Sequence, residues 1–504
     1  MALQNTRQSN YPEWYQNVIT AADMAELSPS PGCMVIKPWG YGIWERIQRL
    51  LDDKIKETGH ENCYFPIFIP LNYFQKEAQH VEGFAKEMAI VTHSKLTMQD
   101  GKLTPDGKLD EPLVVRPTSE TIIADAFSKW VRSYRDLPVL INQWANVVRW
   151  EMRPRLFLRT REFLWQEGHT AHATYEEAEI ETQKMLDVYV SLAEDDLAIP
   201  VLKGKKPEHE KFPGAVDTYT FEPMMQDGRA LQAGTSHFLG QNFAKSADIK
   251  FQNDQGGLEY AFTTSWGVST RLIGGVIMSH ADDEGMCVPP KIAPYQIVIV
   301  PIIKNEEHRD IVMPYISKLM DSLKEKSCWG EKIRVKLDDR NKESTDKYWE
   351  WTRKGAPIIL EIGPKDVEKG SVMVRNRIKI NTPEWKSFVP VAEFAASVSD
   401  RLAAIQNEMY AKAADRLTKN ITTIETPAEM AQYFSNPNIW VETPDKPTVA
   451  FVKGKWSGDA ATIEKMKELK ITIRCIPFEQ SGSEGVCLIS GEKATMDVIY
   501  ARSY

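Results

Sequence analysis

The chain has 504 residues, 42% of them hydrophobic and 26% charged, with a formal net charge of -8. That length gives room for several domains with full cores, and the acidic balance argues against a surface coated in nucleic acid while leaving room for a local basic face. No stretch approaches the apolar length needed to span a bilayer, the N-terminal MALQNTRQSNYPEWYQNVIT with its Glu13 reads as neither secretory signal nor transit peptide, and scattered cysteines without a C-x-x-C pair suit free thiols in a reducing cytosol and support no zinc site.

Residues 41–58 set Ile43, Trp44, Ile47, Leu50, Leu51 and Ile55 at helical spacing, with Gly59 as the stop. NCYFPIFIPL then predicts a short apolar strand whose Pro66 and Pro70 suit an edge. LVVRPTS and WANVVRWEMRP read as strands, with the helix SETIIADAFSKWVRSY between them and Ser119 as its cap. The stretch RTREFLWQEGHTAH, residues 159–172, alternates as a third strand. YEEAEIETQKMLDVYVSLAEDD is a long helix, and EYAFTTSWGVSTRLIGGVIMSH reads as strand, turn, helix. Strands and helices do not alternate strictly here, which favours a mainly antiparallel sheet with packed helices.

Three prolines in CVPPKIAPYQ mark a boundary. QIVIVPI, DIVMPYISKLMDSLKE, KIRVKLDD, TDKYWEWTRK, PIILEIG and SVMVRN then alternate as in a compact α/β domain. The run RVKLDDRNKESTDK reads as solvated surface. A charged helix is expected over 391–416, followed by a small α/β module ending in IYARSY. The expected division is 1–290, 291–405 and 406–504.

The 159–172 strand would line Arg159, Arg161, Phe163, Trp165, Glu167 and His169 along one face. Guanidinium suits bidentate contact with phosphate or carboxylate. Phe163 suits stacking on a flat purine, and Trp165, Glu167 and His169 suit a small ligand with one apolar side and one cation. Arg149 and Arg271 lie in two further segments, VVRWE and GVSTRLIGG. One arginine alone suits a structural ion pair better, several on strands that also carry rings and carboxylates shift the balance, and the strand equally suits a sheet edge with an Arg–Glu pair and a buried Trp. No glycine-rich phosphate loop is present, so a nucleotide would be held by side chains on a sheet. His172 reads equally as a packed or exposed histidine or as a ligand, His280 as lying at a helix end with no catalytic part, and Cys33 as core rather than reactive.

In order, GCMVIKPWGYGIWERIQ with GHENCYFPIFIP, RPTSET, RWE with LRTREFLWQEGHTAH, ALQAGTSHFLGQNF, SWGVSTRLIG and EIGPKDVEKGSVMVRNR resemble the motifs of class II aminoacyl-tRNA synthetases, and specifically the prolyl-tRNA synthetases of archaeal/eukaryotic type. The resemblance implies an α+β fold: an antiparallel-sheet catalytic core, an α/β anticodon-binding domain and a small α/β C-terminal module. It implies a cytoplasmic homodimer that joins L-proline to tRNA(Pro) with ATP and Mg2+ through a prolyl-adenylate, and no membrane association. By resemblance, Arg149 and Arg271 would be catalytic. Arg149, Glu151, Arg159, Thr160, Phe163, Gln232, Thr235, Ser269, Arg271, Phe84 and Glu87 would bind ATP. Thr118, Glu120, Arg149, Trp165, Glu167, His169, Phe212 and His237 would bind proline. Glu361, Lys369 and Arg375 would meet the anticodon.

Two departures shape the expectation. Relatives often carry four cysteines for zinc in the last module, whereas the tail here has Cys475 and Cys487, with Ser490 in the second place of a C-x-x-C, so no structural zinc is expected. The short span from Glu167 to Ser265 leaves no room for an editing insertion, so the chain should not clear mischarged alanine in cis. Rival readings are a class II synthetase for another small amino acid, a catalytically silent synthetase-like subunit and a nucleotide-binding scaffold; the three arginines oppose the silent subunit.

Overall fold

The computed structural model describes residues 3–76, 88–437 and 446–504. The chain opens with helices α1 (Tyr11–Ala21) and α2 (Pro38–Glu57). The apolar stripe Ile43, Ile47, Leu51 and Ile55 of α2 is fully buried. At its end Gly59 takes a left-handed φ of +90°, which a glycine adopts without strain. NCYFPIFIPL is not one strand. Strand β1 (Glu61–Asn62) edges the main sheet, whereas β2 (Phe68–Pro70) joins the hairpin β3 (Ala89–Gln99) and β4 (Lys102–Val115). Pro66 lies in the break.

Helix α3 (Glu120–Trp130) follows the turn after β4. Next come β5 (Val139–Val148), β6 (Glu162–His172), helix α4 (Tyr175–Ser191), β7 (Val201–Lys205), β8 (Asp217–Pro223), β9 (Gly234–Gly240), β10 (Phe262–Ser269) and α5 (Arg271–His280). Thr174 caps α4 by accepting the Glu177 N–H, and Glu177 returns the bond to the Thr174 N–H. Neighbours from β7 through β10 to β6 and β5 run antiparallel, and β1 adds in parallel at one edge. Trp266, Tyr189 and Phe221 fill the core between this sheet and α4.

After the proline cluster, a second sheet is built from β11 (Ile297–Pro301), β12 (Val335–Leu337), β13 (Ile358–Ile362), β14 (Ser371–Asn376) and β15 (Lys386–Pro390), with helices α6 (Glu306–Lys324) and α7 (Ser344–Lys354). Its order is β12-β11-β13-β14-β15, parallel in the first three strands and antiparallel in the rest. Arg377 clamps this unit to the end of α5, with both guanidinium Nη atoms 2.7 Å from the Asp282 carboxylate. The run expected to be solvated contains Asp338, which is buried, accepts the Trp351 Nε1–H at 2.7 Å and pairs with Arg340.

Helix α8 (Val391–Lys419) runs unbroken across residues 405 and 406. Beyond it, β16 (Ile421–Thr423), β17 (Phe451–Trp456), β18 (Thr472–Pro477) and β19 (Met496–Ala501) continue the first sheet. The join is β18 on β7, and the order among the described residues is β16-β17-β19-β18-β7-β8-β9-β10-β6-β5-β1. Cys475 is buried where the tail meets the core, and burial pushes its thiol up to about 12. Cys487, also buried, accepts the Ser490 N–H at 3.5 Å.

Candidate active site

Strand β6 supplies the spine of the site. Its pleat sends Phe163, Trp165, Glu167 and His169 to one face, where they line a cavity of about 470 Å³. The opposite face packs inward: Gln166 bonds Asn142 and Tyr189, and Gly168 lies against the Trp266 ring. Cross-strand register builds rows across the cavity floor. His237 on β9, Ser265 on β10 and His169 form one row; Thr235, Gly267 and Glu167 form the next; Ser269 faces Trp165. The residues 155–159 fold into a tight turn ahead of β6, held by paired backbone bonds between Arg155 and Arg159.

One end of the cavity is cationic. Arg149 follows the end of β5, and its Nε donates to the Pro117 carbonyl at 3.0 Å. Its guanidinium lies 5.7 Å from the Phe163 ring centroid and 5.4 Å from that of Trp165, so it stands between the two. Arg271, the first residue of α5, donates to the carbonyls of Leu158 and Gln232 at 3.1 and 3.3 Å. Burial, then the charges of Arg159 and Arg149, hold its guanidinium down to about 10. Arginine at the positive end of a helix is unfavourable by itself. Three mutually repelling guanidiniums at such a point suit an anionic ligand. The Glu151 carboxylate lies 3.6 Å from Arg159 at this end. Thr160 is buried, with its hydroxyl on the Glu162 carbonyl.

The other end is small and aromatic. Phe212 packs on His237 with ring centroids 4.5 Å apart. His237 lies between the hydroxyls of Thr218 and Thr235, at 3.1 and 3.0 Å. Burial, then the nearby His169, push its imidazole down to about 3, so it is neutral at pH 7. His169 and Glu167 are paired at 3.0 Å and almost fully buried. Burial alone would drive both to neutrality. For Glu167 the bonds from His169, Ser119 and Gln143 prevail and hold the carboxyl below its usual range. For His169 the Glu167 bond and charge, with Glu120 behind, prevail and hold the imidazole above its usual range. Both shifts favour the charged forms of the pair, imidazolium and carboxylate.

The cavity brings together Glu120, Arg149, Glu151, Arg159, Thr160, Phe163, Trp165, Glu167, His169, Phe212, Gln232, Thr235, His237, Ser269 and Arg271 of the residues expected from sequence. Thr118 does not line it but donates its hydroxyl to Glu120. Phe84 and Glu87 lie outside the described residues. Arg161, expected on the same face, precedes the strand; its guanidinium covers the Trp150 ring at 4.6 Å and its Nε donates to the Glu151 carbonyl. Ser119 stands at the N-terminus of α3 without capping it; its backbone is helical (φ -113°, ψ 0°) rather than extended, and its hydroxyl donates to Glu167. Ser265, Thr218 and Lys211 also line the cavity and were not singled out. Ser265 alternates with Gly267 and Ser269 along its strand, a signal the period of two makes readable.

Glu361, Lys369 and Arg375 belong to the second sheet and not to the cavity. Arg375 on β14 pairs with Glu361 on β13 and stacks on Tyr348 and Trp385, at 4.2 and 5.5 Å to the ring centroids. Lys369 is exposed after a short helical turn. His172 is buried and bonds Thr170 at 2.8 Å, and His280 ends α5 as expected, half-buried, with its ring on the Leu197 carbonyl at 3.0 Å. Cys33 is half-buried rather than core.

An antiparallel sheet that presents an anion site, an aromatic ring and a small polar pocket on one face, followed by a separate α/β unit, is the plan of a class II aminoacyl-tRNA synthetase. The family model described as tRNA synthetase class II core domain (G, H, P, S and T) matches residues 103–280, and that of an anticodon binding domain matches 296–401. A third, described as Prolyl-tRNA synthetase, C-terminal, matches 446–504. The chain is 57% identical to the proline–tRNA ligase of Paramagnetospirillum magneticum over 504 residues, covering 100% of this chain and 99% of that one. It is 55% identical to the proline–tRNA ligase of Protochlamydia amoebophila, covering 100% and 98%. A crystal structure of prolyl-tRNA synthetase from Cryptosporidium parvum complexed with L-proline and AMP superposes with a TM-score of 0.87 at 37% identity, covering 100% of this chain and 97% of that one. The chain belongs to the prolyl-tRNA synthetase family.

Proposed function

We propose that the cavity binds ATP at its cationic end and L-proline at its aromatic end, and that Arg149 between them serves both. One observation carries this reading: a single cavity joins three guanidiniums and the Phe163 ring to the buried His169–Glu167 pair. The proline carboxylate attacks the α-phosphorus in line and diphosphate leaves. Arg149 neutralises charge on the α-phosphate and the attacking carboxylate, while Arg159 and Arg271 hold the outer phosphates. Phe163 stacks on adenine, Thr160 meets its edge through the backbone, and Gln232, Thr235 and Ser269 line the nucleotide. Glu120, held by the Thr118 hydroxyl behind it, receives the secondary ammonium; Trp165, Glu167, His169, Phe212 and His237 surround the ring. Nothing covalent is required of the protein, which acts by positioning and charge. A ribose hydroxyl of tRNA(Pro) then takes the prolyl group and AMP departs.

The donor set suits magnesium, which takes one or two carboxylates together with substrate phosphates; Glu151, beside Arg159, would hold it. When bound, the ion supplies further charge neutralisation on the phosphates. We assign 1–290 to catalysis, 291–405 to the anticodon, with Glu361, Lys369 and Arg375 as contacts, and 406–504 to a module without structural zinc. Phe84 and Glu87 would complete the ATP site. The working form is a cytoplasmic homodimer. ATP–diphosphate exchange with each standard amino acid tests the site directly: exchange is strongest with proline and disappears in Arg149→Ala. Exchange led by another amino acid would overturn the assignment of the pocket.

A further inference from the structure

Glu167 is held by two residues that do not line the cavity. Gln143 stands directly opposite it across the β5–β6 ladder and is 1% exposed; Ser119 is fully buried. The Gln143 amide has only one possible orientation. Its Oε1 accepts the backbone N–H of Phe65 at 2.9 Å, so its NH2 group must point the other way, to Glu167 Oε1 at 2.6 Å and Ser119 Oγ at 3.2 Å. Phe65 is itself fixed, because the buried Arg116 donates to its carbonyl at 2.7 Å and to the Asn146 carbonyl at 2.7 Å. Ser119 donates to the same Oε1 of Glu167, and Oε2 pairs with His169. Two donors occupy Oε1 and one occupies Oε2, leaving the remaining acceptor capacity of the carboxylate on Oε2.

We propose that Gln143, locked by the Phe65 amide and assisted by Ser119, is a positioning residue that holds the Glu167 carboxylate in place against the ring of the amino acid. Through this one side chain the segment between β1 and β2 reaches the amino-acid end of the cavity. The inference rests on the functional reading above. Removing one charge-assisted bond of a buried carboxylate lets it rotate and leaves part of it unsatisfied. The loss falls on the amino acid and not on the nucleotide.

The test is ATP–diphosphate exchange at varied proline and varied ATP, with thermal melting as a check on folding. In Gln143→Leu the KM for proline rises about tenfold or more, while the KM for ATP stays within about twofold. In a double-mutant cycle with Glu167→Gln the effect of Gln143→Leu shrinks, because it acts through that carboxylate. Gln143→Glu keeps the shape and the acceptor for Phe65 but turns a like charge on Glu167. It gives the larger proline-specific loss, and it stands as the test if Gln143→Leu does not fold. An unchanged proline KM in a folded variant, an equal rise in both KM values, or full additivity with Glu167→Gln overturns the proposal. A wild-type chain that exchanges with proline while the variants stay flat sinks this inference alone; a wild-type chain without proline-dependent exchange sinks the functional reading.

Discussion

Replacing Arg271 with methionine should abolish nucleotide chemistry without weakening the unliganded protein. The guanidinium is held down to about 10, first by burial and then by Arg159 and Arg149. A shift of that size corresponds to roughly 3 kcal/mol against the charged form, and solvent in the open cavity screens it to about half. The sign follows from the direction. A cation whose value is lowered on folding opposes folding wherever both states keep it charged, so the full penalty spans neutral pH and fades only as the pH rises past about 10 toward the ordinary arginine range. Against it stand two neutral-acceptor bonds, to the carbonyls of Leu158 and Gln232, at about 1 kcal/mol each. The terms nearly cancel, and the melting midpoint of Arg271→Met without ligand should lie within about 2 °C of the parent. ATP should raise the parent midpoint and leave that of the variant flat. Exchange should fall by about a thousandfold or more, as when a phosphate-clamping arginine is removed. A midpoint several degrees lower, with substantial exchange retained, would show Arg271 to be a strut between α5 and the 155–159 turn and would refute the argument.

Phe163→Ala should raise the KM for ATP about tenfold, the worth of one base–aromatic stack, with a smaller effect on proline; equal effects on both would remove the stacking assignment. The Glu167–His169 pair predicts a plateau in kcat/KM for proline. Its acid limb lies below the ordinary carboxylate range, where Glu167 takes a proton, and its alkaline limb lies above about 6.5, where His169 loses one. His169→Asn should erase the alkaline limb; if the limb survives, it belongs to another group. A Cβ at Gly168 would fall 2.0 Å from the Trp266 ring, so Gly168→Ala should cost about 1–3 kcal/mol on melting, and an unchanged midpoint would show that the indole can shift. The purified chain should leave Ala-tRNA intact, and deacylation above the spontaneous rate would contradict the reading of the short Glu167–Ser265 span.

How far the sequence carried this reading depended on whether the signal was local. The period of two along 163–169 placed four side chains on one face because a pleat enforces it, and all four line the cavity. The same rule failed for Arg161, since the turn at 155–159 ends just before it and breaks the alternation. Ser119 precedes α3 as a cap residue would, yet its backbone is helical rather than extended and its hydroxyl donates to a buried carboxylate 48 residues away. Gln143 gave a weaker sign, two adjacent polar residues inside an apolar strand, which no spacing rule connects to Glu167. Asp338 looked solvated because charged neighbours surround it in sequence; its partners Arg340 and Trp351 compensate its burial only once the fold is formed. The union of the tail with the first sheet rests on pairing between residues far apart in the chain, to which hydrophobic periodicity is blind.

That union closes one edge of the first sheet. Strand β7 is covered on its outer side by β18, where Ile476 and Pro477 face Lys205 and Gly204, and the contact is so close that a Cβ at Gly204 would fall 2.4 Å from the Ile476 carbonyl oxygen. Beneath the seam, Arg474 reaches 2.8 Å from the fully buried Glu222, which Lys206 also pairs at 3.1 Å. A chain cut after α8 would keep the whole cavity yet expose the backbone donors and acceptors along β7 and unbalance a buried charge cluster. An open strand of that kind is a template for a neighbouring chain. In this chain the last module thus serves as a guard on the sheet edge, and its loss would first be seen as intermolecular β-pairing and precipitation.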